Sequence, residues 1–303
     1  MAEPVSSAGS IPAESSSEPA ASPVQGGVSI AAAPLEVDDD SSVSRSYMGL
    51  KALAKKDLNI PSSSYTASLT SSVVDYPEEY GRTYHAFRAG SYNFPNDEVA
   101  VPPNVKFEVD DVESAWIVDE KYDFIFSRGM AASITDWPKL IARIYENLAP
   151  NGWAEFEDMS VIYGCDDETV TEDLALMKWA RIFAEACQKL GREDSPGPKL
   201  EGWVRQTPFK NVVHQHFKIP LGPWAKDAHN KDLGMCNLAQ TLEVLDAFTL
   251  KLFIGVLGWT REVVVLLAQV RQDLKNSAIH AYLNYHVVYG QKIEDDDGED
   301  AED

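Results

Sequence analysis

Residues 104–130 read NVKFEVDDVESAWIVDEKYDFIFSRGM, and this stretch decides the fold class. Val105, Phe107 and Val109 alternate with polar residues until Asp110-Asp111 ends the run. Tyr122 to Phe126 is a second short apolar run, closed by Ser127-Arg128-Gly129. The pattern predicts a strand, an acidic turn and a second strand, and helix signals follow it, so βαβ units and a parallel sheet are expected. Carboxylates at the carboxyl end of such a strand sit where open α/β sheets bind ligands. An ordinary solvated Asp-Asp turn looks the same, and these residues alone favour it.

Reading onward, Asp136 is placed as an N-cap, Trp137-Pro138 opens a helix, and Leu140, Ile141, Ile144, Tyr145 and Leu148 give its apolar stripe. Pro150-Asn151-Gly152 stops it, and Trp153 to Phe156 reads as the next strand, ending in Glu157-Asp158. Strand, helix, turn and strand over 122–158 make one βαβ unit. Residues 171–191 predict a long amphipathic helix stopped by Gly191, and 199–205 a short one. Val212 to Phe217 reads as a strand, 233–257 and 260–275 as two helices separated by Gly258-Trp259, and 283–290 as a final strand. There is no internal repeat.

Reading backward, residues 76–98 (YPEEYGRTYHAFRAGSYNFPNDE) interleave six aromatic residues with Arg82, His85 and Arg88. This suits a lid over a flat ligand, or equally a capping segment whose aromatics join the core. Residues 47–75 form an approach to it. Residues 1–46 are rich in Ser, Ala, Pro and acids and are expected to be a disordered tail.

The expected organisation is therefore a disordered tail over 1–46, a lid segment over 47–98, a sheet-and-helix domain over 99–292 and an acidic disordered tail over 293–303.

The 303 residues carry a net charge of -22, with eight acids in 294–303, seven in 1–40 and no base in either tail. The body is left only mildly acidic. No basic patch is present to neutralise phosphates, so direct nucleic-acid binding is not expected. Cys165, Cys187 and Cys236 lie far apart without a C-x-x-C spacing, which fits a reducing compartment. No apolar run reaches the roughly 18 residues of a membrane helix. The first residues lack the basic and apolar regions of a secretory signal. A cytoplasmic or nuclear protein, not secreted, is expected.

The chemistry is defined as much by absence. No G-x-G, G-x-G-x-x-G or G-x-x-x-x-G-K occurs, although a nucleotide-type cofactor in a doubly wound sheet normally needs such glycines. His214 and His216 share one face of a strand and are possible metal ligands, but no neighbouring residue completes a site, so no metal is assigned. No G-x-S-x-G is present. Asp110, Asp111, Glu113, Glu157 and Asp158 are strand-end carboxylates available for acid or base work.

Several segments together resemble LaeA-like fungal methyltransferases, the class I enzymes dependent on S-adenosylmethionine (SAM) that act in secondary metabolism and its velvet-complex regulation. They include Tyr80-Gly81-Arg82, Tyr84-His85, Arg88-Ala89-Gly90-Ser91-Tyr92, Asp110-Asp111-Val112-Glu113 and Tyr122-Asp123-Phe124-Ile125. The match continues through Asp136-Trp137-Pro138, Pro150-Asn151-Gly152-Trp153, Pro196-Gly197-Pro198-Lys199-Leu200, Gly222-Pro223-Trp224 and His286-Val287-Val288-Tyr289-Gly290. It covers about residues 76–292.

The resemblance implies a Rossmann-like α/β sheet with added helices, SAM as cofactor, and in-line methyl transfer to a small-molecule or protein acceptor. It places Asp110, Asp111 and Val112 by the adenine, Ser127 and Arg128 along the pocket, and Tyr92 in the cofactor site. His85 and Glu98 are the candidate bases. Velvet-type regulatory proteins are the implied partners.

The departure from the family is equally informative. Asp97-Glu98 runs through Val99-Ala100-Val101 straight into the family's third-strand region at Pro102. The first βαβ piece, which takes roughly 30 residues or more, is missing together with its Gly-rich SAM loop. In the family the first strand is central, beside the fourth. Its loss leaves a truncated sheet whose third strand either pairs directly with Tyr122–Phe126 or exposes an apolar edge. Weak or absent SAM binding is expected. The alternative is a pseudoenzyme: a non-catalytic regulatory or binding partner.

Overall fold

The computed structural model describes residues 27–38, 110–117 and 120–294, and the backbone of 78–79 and 82–83. The predicted strand Val105–Val109, the lid residues His85, Tyr92 and Glu98, and the acidic tail beyond 294 lie outside the described residues.

Five strands form one sheet: β1 (Val28–Ile30), β4 (Tyr122–Arg128), β5 (Leu148–Met159), β6 (Lys210–Pro220) and β7 (Tyr282–Gln291). Two further pairs of residues, β2 (Glu78–Glu79) and β3 (Arg82–Thr83), pair antiparallel with each other. The order across the main sheet is β1-β6-β7-β5-β4. β4 runs parallel to β5, while β7 runs antiparallel to both β5 and β6. The carboxyl ends of β4, β5 and β6 and the amino end of β7 therefore meet along one rim.

Among the described residues five α-helices accompany the sheet: α1 (Trp137–Asn147), α2 (Ala175–Lys189), α3 (Gly197–Arg205), α4 (Ala228–Leu250) and α5 (Glu262–Leu274). The predicted start of α1 holds in detail: the Asp136 side chain accepts a hydrogen bond from the Lys139 amide at 3.0 Å. Leu140, Ile141 and Ile144 are buried as the stripe required. β5 is longer than predicted, because Pro150-Asn151-Gly152 lies within its span. A register shift opposite Tyr122–Phe124 absorbs these residues, and Asn151 adopts a positive φ of 63°. α4 begins earlier than expected, capped by Asp227, and runs on into a π-helical turn over Lys251–Val256.

Two cores result. One lies between α1, α3 and a sheet face, where Phe156, Leu200, Val204 and Val288 are fully enclosed. The other is internal to a lobe of α2, α4 and α5, with Trp179, Phe183, Phe253 and Val270 at its centre. The buried Trp179 Nε1 donates to Thr249 Oγ1 at 2.8 Å, tying α2 to α4. The lobe is built from the chain leaving β5 and β6, so it springs from the rim where the strand ends meet.

One expectation is corrected here. The tail expected to be disordered contains β1, which pairs parallel with β6 from Val28↔Val213 to Ile30↔Gln215. The chain beyond it is tied down by a backbone bond from Asp38 to the Trp224 carbonyl at 2.8 Å. Short-range composition carried no sign of a strand whose partner is 185 residues away.

Candidate functional site

The rim is the place to look for chemistry, because open α/β sheets hold ligands outside the carboxyl ends of their strands. Of the residues that the sequence pointed to, Asp110, Asp111, Val112, Ser127 and Arg128 are described. Asp110 Oδ1 accepts from the Asp111 amide at 2.7 Å, and Asp111 accepts from the Glu113 amide at 3.0 Å and from Ser114 Oγ at 2.8 Å. The acidic stretch is thus a self-closed turn whose carboxylates already serve its own backbone.

Glu113 fastens that turn to the start of α1. Its Oε1 accepts from the Thr135 amide at 2.9 Å, from Thr135 Oγ1 at 2.5 Å and from the Asp136 amide at 3.0 Å. Of these, the amide of Asp136, the N-cap of α1, is one of the orphan donors that every helix N-terminus presents, and an anion suits the dipole there. Val112 contributes its carbonyl, which accepts from Arg143 and from Trp116 Nε1.

Beyond β4 the chain turns at Gly129, whose φ of +66° is the left-handed region that a side chain resists. The amide of Met130 then meets Asp158 Oδ2 at 2.7 Å, and Asp158 Oδ1 accepts from the Met159 amide at 2.9 Å. Asp158 is almost wholly buried. Burial pushes its carboxyl up to about 6, against the pull of the amides of Met159, Met130 and Ala131. The sequence had grouped Asp158 with other strand-end carboxylates. Its parity with the inward residues Ala154 and Phe156 was the available sign that it points into the core.

Behind it stands a histidine ladder. His286 lies opposite both Asp158 and His216 in register. Its ring stacks on His216 at 4.6 Å, and its Nδ1 lies 2.9 Å from His214 Nε2. His214 Nδ1 in turn lies 2.8 Å from Glu201 on α3. Burial, then the neighbouring His216 and His214, lower the His286 imidazole to about 4. His214 and His216 do share a face, but both His214 nitrogens are engaged in this ladder and His216 Nε2 lies 2.9 Å from Asn284. Among the described residues no group of three or more metal-ligating side chains converges.

The opposite face of the sheet is open. Glu155, Glu157, Phe217, Tyr285 and Tyr289 form its floor, and His229 and Asn230 of α4 stand at its side, enclosing a groove of about 750 Å³. Tyr285 donates to Glu157 at 3.0 Å. Burial and the hydrogen-bonded Glu157 beside it raise the Glu155 carboxyl.

The described residues do not by themselves make a full cradle for SAM. The acidic turn and the post-β4 segment are both described, and the sequence has no G-x-G spacing. The post-β4 amides that could meet a ligand are held by Asp158.

With this geometry in hand, comparison with known proteins is decisive for class. A family described as a methyltransferase domain matches residues 67–216. Methyltransferase pytC of Aspergillus terreus is 32% identical over 307 residues, covering 78% of this chain and 95% of that protein. The secondary metabolism regulator LAE1 of Cochliobolus heterostrophus is 32% identical over 192 residues, covering 62% of each chain. The solved phosphoethanolamine N-methyltransferase 2 of Haemonchus contortus shares 16% identity, with a TM-score of 0.34, over 61% of this chain and 37% of its own.

The described residues form a mixed five-stranded sheet with added helices, and the family model that matches them is a methyltransferase domain. The chain belongs to the LaeA-like family of fungal methyltransferases and secondary-metabolism regulators.

The pytC alignment also contains length that this chain does not match. It spans 307 positions yet uses only 78% of this chain. Roughly 70 positions are therefore filled by the relative alone, which is the length of about two βαβ units. Among the described residues no helix is long and apolar enough to cross a membrane.

Proposed function

We propose that this protein is a methyltransferase-like component of fungal secondary metabolism, acting in biosynthesis or in its regulation, with impaired SAM binding. The observation that carries the reading is the conjunction of family membership with the roughly 70 positions that a relative has and this chain lacks, about two βαβ units' worth. We place the missing segment between Glu98 and Pro102, where the family resemblance puts the Gly-rich loop. Asp110, Asp111, Val112, Ser127, Arg128 and Tyr92 are the residues proposed to remain on the cofactor side. His85 and Glu98 remain the candidate bases if methyl transfer occurs. The proposed setting is cytoplasmic or nuclear, with velvet-type regulatory proteins as partners.

A second reading, a pseudo-methyltransferase that binds partners without catalysis, is favoured by the Asp158 carboxylate occupying the post-β4 amides. Calorimetric titration with SAM separates the two. The chain should show no micromolar binding, and a version with the family's missing segment restored should bind. Micromolar affinity in the chain itself would overturn the proposal of an incomplete cofactor site.

A further inference from the structure

Among the described residues, no strand pairs with the outer edge of β4. Natural sheets blunt such edges with lysine, proline, bulges or very short strands, because a row of free amides and carbonyls recruits another chain. β4 carries seven residues, YDFIFSR, with no proline and no lysine. Tyr122, Phe124 and Phe126 are 43%, 54% and 49% exposed. The rings of Phe124 and Phe126 stack on each other 6.4 Å apart on the open face of the sheet.

We propose that this edge pairs with the same edge of a second copy of the chain. The two β4 strands run antiparallel about a twofold axis through Ile125, so that two sheets join into one. The argument is the self-complementarity of the strand. An axis at Ile125 sets Phe124 opposite Phe126, Tyr122 opposite Arg128 and Asp123 opposite Ser127, each occurring twice, as an isologous contact requires.

Facing aromatic rings, an arginine over a tyrosine ring and a carboxylate facing a hydroxyl are favourable cross-strand partners. Each strand brings one acid and one base, so no like charges face each other. Parity agrees as well: Tyr122, Phe124, Phe126 and Arg128 share the open face, whereas Ile125 points to the side covered by α1. Moving the axis to Phe124 or Phe126 strands part of β4 without a partner and sets Ile125 against Asp123 or Ser127. Moving it by half that step turns every side chain to the wrong face. The register is therefore specified by the sequence.

The test uses the full chain. Light scattering coupled to size exclusion, across a micromolar concentration series, should give a mass approaching twice 33.5 kDa. Phe126→Lys should return the monomer mass while leaving the circular dichroism spectrum unchanged. A second arm does not depend on that variant folding. Phe124→Cys and Phe126→Cys chains, mixed and mildly oxidised, should form a 124–126 disulfide identified by mass spectrometry, and neither alone should cross-link at its new cysteine. A wild-type chain that stays monomeric throughout overturns the proposal and leaves the edge to a segment of the same chain, such as Val105–Val109. A dimer without the 124–126 link overturns it too, by placing the interface elsewhere.

Discussion

Replacing Glu113 with alanine tests whether the acidic stretch is held in place as described. Its Oε1 accepts three hydrogen bonds at the start of α1, two from backbone amides. Loss of a side-chain cap at a helix N-terminus costs about 0.5–2 kcal/mol, and bonds to a charged group lie toward the upper part of such ranges. Glu113 is half-exposed, so water replaces part of what is lost, and Asp136 still caps α1 through Lys139. The expected cost of Glu113→Ala is about 1.5 kcal/mol, read as a lower urea midpoint at unchanged slope. Glu113→Gln keeps an acceptor without the charge and should cost about half as much. Hydrogen exchange should accelerate at the amides of Thr135 and Asp136 in the alanine variant. A loss under about 0.3 kcal/mol with unchanged exchange at those two amides would refute the reasoning.

Two further outcomes are expected. In α3, a Cβ on Gly197 would lie 2.7 Å from the Asp158 carbonyl oxygen, whereas a Cβ on Gly202 meets nothing within 4 Å. Gly197→Ala should destabilise by about 2 kcal/mol through overpacking, and Gly202→Ala should stabilise by about 0.5–1 kcal/mol through helix propensity, both measured by denaturant melts. Stability against pH should carry two opposed contributions. His286, lowered from 6.5 to about 4, contributes stability that is present above 6.5 and lost as pH falls through 4. Asp158, raised from 3.8 to about 6, contributes stability that is present below 3.8 and lost as pH rises through 6. Each is worth about 3 kcal/mol at most, so they largely offset one another between pH 4 and 6. Relative to the wild type, His286→Gln should therefore gain stability as pH falls from 6.5 to 4, and a flat difference curve would contradict the burial of a neutral His286.

The central part of the chain was legible because its signals are local. The Asp136 cap, the 3.6-residue stripe of α1 and the alternation through β5 each lie within a dozen residues, and both elements formed, although β5 starts earlier than expected and takes Leu148 from the stripe. What escaped was nonlocal. β1 consists of three exposed residues in a stretch whose composition suggests disorder, and only an edge on β6 gives it a reason to extend. The histidine ladder was half legible: alternation put His214 and His216 on one face, but His286 joins them through antiparallel pairing 72 residues away from His214. The inward turn of Asp158 was readable from strand parity, yet the Met130 amide it serves depends on where β4 ends.

That carboxylate bears directly on the cofactor. In a complete class I site the ligand is met by backbone from several strand ends, and glycine loops let that backbone come close. On the proposed reading the first of those ends is missing, and the amides after β4 are already satisfied by Asp158. A ligand arriving at the end of β4 would have to displace a buried carboxylate, leaving it without the bonds that offset its burial. Restoring the missing segment therefore supplies more than a loop. It supplies the neighbouring strand that would cover the Phe124 and Phe126 edge and a second set of donors that do not compete with Asp158. On this argument SAM affinity and coverage of the β4 edge rise together when the segment is restored, and the self-pairing of β4 belongs only to the shortened chain.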